Sequence, residues 1–287
     1  MFNYVVSKKQ DGISLLDFFK LFHLGKNKIN YLIDNKKVLI NDEIITSRNF
    51  ILKYLDIINI DTSYYDYPNY KSIRYNLKII YEDDYIIAID KPYGVIIYDD
   101  KMVSLASYVA YYYEKTNQNI AVRHVHRLDK DTTGIIIYAK DIISHSYLSY
   151  LFEHNEIKKE YYALVKGVIT KNGTVDIGIS KNRHENGKMI ANINGDQCLT
   201  KYQVIKNYDD KTLLNVEIKN GRTHQIRVHM AYIKHPLVSD ALYGEKIDDT
   251  KMHLDCHHIG FYDLMINKYL SLNLPIRYTE EENEKNI

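Results

Sequence analysis

Two short stretches of this 287-residue chain concentrate the side chains that could do chemistry. The first, HVHRLDKDTTG, runs from His124 to Gly134 and stands directly before the apolar run IIIYAK, so a charged loop is set at the edge of a strand. Within it Asp129 lies between Arg127 and Lys130. Positive neighbours lower a carboxyl pKa, and a carboxylate held ionised can act as a nucleophile. Asp131, Thr132, Thr133 and Gly134 are also good turn formers, and the loop taken alone reads as structure. The second stretch, NGRTHQIRVHM, carries Arg222, His224, Arg227 and His229 on or near a helix start, with Gly221 able to make a tight turn ahead of it. Such a cluster suits a phosphate or a carboxylate. Because Gln225, Val228 and Met230 interrupt the charge, an ion-paired surface helix fits the same spacing. His124 and His126, with His253, His257 and His258 downstream, are reminiscent of an HxHxD metal motif, but the aspartate comes one residue late and no histidine follows it. No metal is therefore expected.

The elements that must position these loops fall into two groups. From Ile13 to about Ile60 the segments SLLDFFKLFHL and KNKINYLIDN read as two helices, followed by the strand-like VLIND and LDIINI. Ser14 can cap the first helix, and Leu15, Phe18, Phe19 and Phe22 recur at helical spacing to face a small core. The stretch DTSYYDYPNYKS carries Pro68, has no clear period and reads as a linker. Beyond it LKIIYE, YIIAIDK, GIIIYAK, EYYALVKG, KYQVIK and TLLNVEI read as strands, alternating irregularly with helices near Ser104 to Glu114, Ile143 to Phe152 and Thr223 to Ile233. The fold class is α+β, with a mixed sheet. The expected division is a small domain over 1–62, a linker over 63–76 and a large domain over 77–287. No GxxxxGK[ST] and no strand-linked GxGxxG occurs, which argues against nucleotide hydrolysis and dinucleotide binding.

Composition narrows the partners little. A formal net charge of +1 gives no support to nucleic-acid binding unless a basic surface is local. No apolar run approaches the roughly 20 residues needed to cross a bilayer, so no membrane partner is expected. The amino terminus MFNYVVSKKQDG lacks the charged start and apolar core of a secretory signal, and the two cysteines, Cys198 and Cys256, suggest no disulfide framework; cytoplasmic residence is the expectation. The 28 tyrosines read as codon bias before stacking chemistry.

In order and spacing these segments resemble the RluA-type pseudouridine synthase family. Asp90, Lys91, Pro92 and Gly94 in IDKPYGV are similar to its first motif, and VHRLDKDTTG to its second, whose aspartate falls on Asp129. KEYYALVKG resembles the next, placing the family's pocket tyrosine at Tyr161. NGRTHQIRVH with the following HPLVSDALYG resembles the third, placing the partner arginine at Arg227. The resemblance spans roughly residues 77 to 276. Residues 13–60 look like the small RNA-binding domain, first seen in a ribosomal protein, that many members carry. Tyr98 and Asp255 stand where the family usually has histidine, DTTG stands for the commoner DTSG, and Leu55–Asp56 for a Gly–Asp pair.

The resemblance implies a mostly antiparallel catalytic domain and an enzyme that isomerises uridine within structured RNA. No cofactor is implied, since one bond is exchanged for another without redox change or hydrolysis. Asp129 would be the nucleophile, attacking either the sugar or the ring. Arg227 would hold it ionised and oriented, and Tyr161 would pack on the uracil with Val228 nearby. A stacked uridine must be flipped out at a cost of a few kcal/mol. Arg127 would then be the wedge that fills the gap or a phosphate contact, while Lys26, Lys28, Lys36 and Lys37 would grip backbone. Large-subunit ribosomal RNA is the expected substrate of a monomeric enzyme. Transfer RNA is the alternative, and a non-catalytic RNA-binding protein of the same fold is a further one.

Overall fold

A computed structural model of the chain describes residues 1–99, 102–247 and 251–278. The end of the expected large domain, 279–287, lies outside the described residues. The chain opens with strand β1 (Phe2–Val5), which the sequence reading left unassigned. Ser14 then accepts a hydrogen bond from the Asp17 amide at 3.1 Å and caps helix α1 (Leu15–Leu21). Leu15, Phe18, Phe19 and Phe22 are all buried. Helix α2 (Lys26–Asp34) follows, then strands β2 (Val38–Ile40), β3 (Glu43–Ile44) and β4 (Ile57–Ile60). These strands form an antiparallel sheet in the order β1-β4-β2-β3.

The segment that reads as a linker is anchored. Asp66 makes a 2.6 Å ion pair with Arg123, and Asn69 exchanges two hydrogen bonds with the backbone of Val122. Aromatic contacts join the two sheets' cores as well: Phe2 lies 5.5 Å from Tyr85 and Phe22 5.9 Å from Tyr147, centroid to centroid.

The larger sheet is built from β5 (Ile79–Glu82), β6 (Ile86–Lys91), β7 (Arg123–His124), β8 (Thr133–Ala139), β9 (Lys158–Lys166), β10 (Gly173–Asp176), β13 (Leu199–Asn207), β14 (Lys211–Lys219), β15 (Leu254–Asp263) and β16 (Lys268–Asn273). Between them come α3 (Leu105–Lys115), α4 (Ile142–Glu153), the separate hairpin β11 (Ile179–Lys181) and β12 (Met189–Ala191), and α5 (Gln225–Tyr232). The order across the sheet is β10-β13-β14-β9-β15-β8-β6-β5, with β16 added to β15 and β7 to β8. Pairing is antiparallel except between β15 and β8. Ile135, Ile136 and Ile137 of β8 are wholly buried, as the continuous apolar run requires, and α4 packs against this strand.

Where β8 enters the sheet, Gly134 takes a φ of +106°, and a Cβ there would fall 2.3 Å from the Cys256 carbonyl oxygen. The glycine that reads as a turn former from its type is needed for the close approach of β15. That approach sets the site, because it places the loop preceding β8 beside β9.

Candidate active site

The loop from Val125 to Thr132 is held from beneath. Lys91, at the end of β6 and 0% exposed, donates from Nζ to three backbone carbonyls: Lys130 and Thr132 at 2.8 Å and Pro92 at 3.0 Å. Burial pushes the Lys91 ammonium down to about 8, with Asp131 and Asp129 pulling the other way. The Thr132 amide closes the loop onto the Asp129 carbonyl at 3.1 Å.

Above this support the Asp129 carboxylate, 20% exposed, faces the start of α5. Arg227 Nη1 lies 3.4 Å from its Oδ2 and His224 Nε2 3.8 Å from the same atom. Arg227 is itself gripped from behind: its Nε and Nη2 donate to the two oxygens of Asp240, both at 2.8 Å. Asp240 is fully buried and also accepts from the amides of Leu242 and Tyr243. Burial opposes its ionisation, but the Arg227 bonds prevail and hold it below the usual carboxylate range. A fork of this kind leaves the guanidinium little freedom and aims its third nitrogen at Asp129. The Tyr243 ring covers the guanidinium at 5.1 Å, and its hydroxyl is 2.8 Å from His224 Nδ1. His224 takes a φ of +58°, a left-handed conformation that histidine adopts more readily than most residues, and this turns its ring toward Asp129. Burial lowers the His224 pKa, with Asp129 opposing.

Asp129 forms part of the wall between two clefts. One, of ≈ 360 Å³, is lined on its apolar side by Tyr161, Phe152, Ile218, Ile226 and Leu254, and by the buried Lys159. Burial pushes the Tyr161 phenol well up, so the ring enters the site neutral. The other, of ≈ 760 Å³, is bounded by Tyr93, Ile97, Tyr98, Lys130, Asp131 and Met252. A carboxylate flanked by a fixed guanidinium, opening onto an aromatic and apolar slot, is equipped for attack on an electrophilic carbon beside a flat ring.

The model of the RNA pseudouridylate synthase family matches residues 85–232. Over 247 residues the chain is 32% identical to the uncharacterized RNA pseudouridine synthase YhcT of Bacillus subtilis, covering 84% of this chain and 82% of that one. The chain belongs to the RluA-type RNA pseudouridine synthases. The synthase is also 32% identical to the ribosomal large subunit pseudouridine synthase D of Haemophilus influenzae over 77% of its own length and 69% of the relative's. Its fold is that of the human RNA pseudouridylate synthase domain containing 1, with a TM-score of 0.63 at 22% identity, covering 72% of this chain and 86% of that one. It is an isomerase acting on RNA, and its fold is the α+β, mostly antiparallel one expected.

Of the residues singled out from sequence, the synthase brings Asp129, Arg127, Tyr161 and Arg227 to one cleft. The cations facing Asp129 come from α5. Its sequence neighbours Arg127 and Lys130 are exposed and make no ion pair with it. Val228 requires correction. One helical step past Arg227, it turns away from the cleft and packs with Ile179 and Cys198 beneath the β11–β12 hairpin, while Ile226 lines the slot instead. His229 also points away, its Nδ1 2.8 Å from Thr200 Oγ1 and its Nε2 3.0 Å from the Ile177 carbonyl. Buried from Gln225 to Met230, α5 is not an ion-paired surface helix.

Two of the four lysines of the small unit are engaged or partly covered within the fold. Lys37 pairs with Asp61 at 2.7 Å, and Lys28 is half-buried, with its pKa lowered by burial and by Arg123. Lys26 and Lys36 are exposed. His126 accepts from the Ile137 amide at 3.0 Å and stacks on Phe152, and His124 stacks on Tyr98. Among the described residues no group of three His, Cys, Asp or Glu is placed to hold a metal, and no helix is long and apolar enough to cross a membrane. Asp240 escaped the sequence reading although it stands in the quoted HPLVSDALYG. An isolated aspartate among turn-forming residues carries no signal of a partner 13 positions away.

Proposed function

We propose that the synthase isomerises uridines of large-subunit ribosomal RNA, with Asp129 as the nucleophile. The observation that carries this reading is the Asp240–Arg227–Asp129 chain of contacts, which presents one carboxylate to a slot shaped for a flat base. The target uridine is flipped into that slot and packs between Tyr161 and Ile226. Asp129 attacks and forms a covalent bond, the bond from the anomeric carbon to ring nitrogen 1 breaks, the base turns, and ring carbon 5 bonds to the anomeric carbon while the bond to Asp129 breaks and frees its carboxylate. Arg227 orients the carboxylate throughout. Arg127 is exposed at the junction of the two clefts, where it either fills the gap left in the RNA stack or meets the flanking phosphate.

Residues 1–62 act as an accessory RNA-binding unit through Lys26 and Lys36. Residues 77–287 form the catalytic unit, docked to the first by the anchored connection. We place the enzyme in the cytoplasm as a cofactor-free monomer. The choice of ribosomal RNA follows the named relatives.

The test is to map pseudouridines in total RNA from cells with the wild-type gene, without it, and with Asp129→Asn. Loss of the same large-subunit sites in both altered strains is expected. Loss confined to transfer RNA would overturn the substrate assignment, and sites that persist with Asp129→Asn would overturn the nucleophile.

A further inference from the structure

Lys159 and Tyr161 are two residues apart on β9 and leave the same face of the strand. Lys158, on the other face, is half exposed and pairs with Glu160 at 3.2 Å. Lys159 is 8% exposed and lines the same cleft as Asp129 and Tyr161. Its side chain lies over the Phe152 ring, Nζ 5.7 Å from the centroid, and makes no hydrogen bond or ion pair among the described residues. A buried ammonium without a partner is unfavourable, and burial duly pushes its pKa down. The folded protein thus carries into its substrate slot a positive charge that it does not itself balance.

The reaction supplies the missing counter-charge. When the bond from the anomeric carbon to nitrogen 1 breaks, the electron pair leaves with the nitrogen, and the free base is an anion spread over nitrogen 1 and its two carbonyl oxygens. We propose that Lys159 is a catalytic residue that donates a hydrogen bond to a carbonyl oxygen of the detached uracil and holds its negative charge while the base turns. This rests on the reading of the cleft as the uracil slot. Carbon 5 then supplies the electron pair for the new bond to the anomeric carbon, the Asp129 carboxylate is released with the electron pair of its own bond, carbon 5 loses its proton and nitrogen 1 gains one. Lys159 begins and ends as an ammonium. A phosphate is a poorer match, because Phe152, Ile218 and Leu254 share this part of the slot, whereas the exposed Arg127 and Arg222 stand at its rim.

The experiment uses the full chain and a transcript of large-subunit ribosomal RNA made with uridine or with 5-fluorouridine, whose electron-withdrawing fluorine stabilises the departing anion. Wild type, Lys159→Met and Lys159→Arg are compared in single-turnover rate, RNA affinity and melting temperature, the rate being read after nuclease digestion and chromatography as formation of carbon-linked nucleoside, which on the fluorinated transcript keeps its fluorine because carbon 5 has no proton to lose. Lys159→Met is expected to lose roughly 10²-fold in rate, the scale for removing one donor to a developing anion. RNA affinity should stay unchanged, the melting temperature should be equal or higher, and the loss should be smaller on the fluorinated transcript. Lys159→Arg should recover part of the rate. An unchanged rate, a loss confined to RNA affinity, or an equal loss on both transcripts with a lowered melting temperature would each overturn the assignment. A wild-type enzyme inactive on this transcript would instead overturn the ribosomal substrate on which the assignment rests.

Discussion

Replacing Asp240 by asparagine separates the support of the site from its chemistry. Asp240 is wholly buried and gives Arg227, itself 9% exposed, two bonds of 2.8 Å. The amide keeps one acceptor for Arg227 Nη2 and the Leu242 and Tyr243 amides, but it turns an N–H toward Arg227 Nε and removes the charge. Breaking a buried, hydrogen-bonded charge pair costs on the order of 3 to 5 kcal/mol, and the retained bonds put Asp240→Asn at the lower end, about 3. The guanidinium, less well held, shifts toward Asp129, its remaining counter-charge at 3.4 Å. A displacement of about 1 Å in a positioned group costs roughly 10²-fold in rate. Asp129→Asn should behave in the opposite way. Its carboxylate is 20% exposed and Arg227 keeps Asp240, so stability should change by less than about 1 kcal/mol while product disappears. Urea unfolding and single-turnover pseudouridine formation measure both quantities. Asp240→Asn unchanged within about 1 kcal/mol and threefold in rate would refute the view that Asp240 fixes Arg227.

Lys91 should impose a falling limb on the pH–rate profile near 8, because the neutral amine has two N–H groups for three carbonyls. Lys91→Met should be slow at every pH and lack that limb. The stability sign is opposite: the folded pKa of about 8 lies below the ordinary 10.5, so between these values the unfolded chain binds more protons and stability rises with pH. A wild-type profile identical in shape to that of Lys91→Met would remove Lys91 from the loop's support. Leu55 occupies a left-handed φ of 70° where the family resemblance expects glycine, and it is 59% exposed. Leu55→Gly should therefore raise stability by about 0.5 to 1 kcal/mol in the same unfolding assay, and a decrease would contradict the strain argument.

Sequence and structure agree best where the signal is local. The capping hydroxyl of Ser14, the apolar run of β8, and the periodic segments that became α3 and α4 depend on neighbours a few residues away. Among the strands left unassigned from sequence, β15 is the one that lies in the middle of the large sheet. Its residues Asp255, His257 and His258 are polar by type, yet they are buried in the native fold. Asp255 accepts from Thr133 Oγ1 at 2.8 Å and His257 Nε2 is 2.9 Å from Asn215 Oδ1. These partners are more than 40 positions distant, so no window of sequence marks the segment as a buried strand.

By itself, then, the chain's order of residues singled out the candidates for the chemistry, because a motif is a local statement about types and spacing: Asp129, Tyr161 and Arg227 were named before any coordinates. Tertiary structure alone decided what faces them. Insertion of β15 between β9 and β8 brings the Asp129 loop to Tyr161, and the bidentate grip of Asp240 fixes Arg227. Two positions along α5 turn Val228 away from the slot that Ile226 lines. Each of these is a contact between segments far apart in the chain, whose free energy comes from burial and hydrogen bonding in the assembled sheet and has no counterpart in the local sequence.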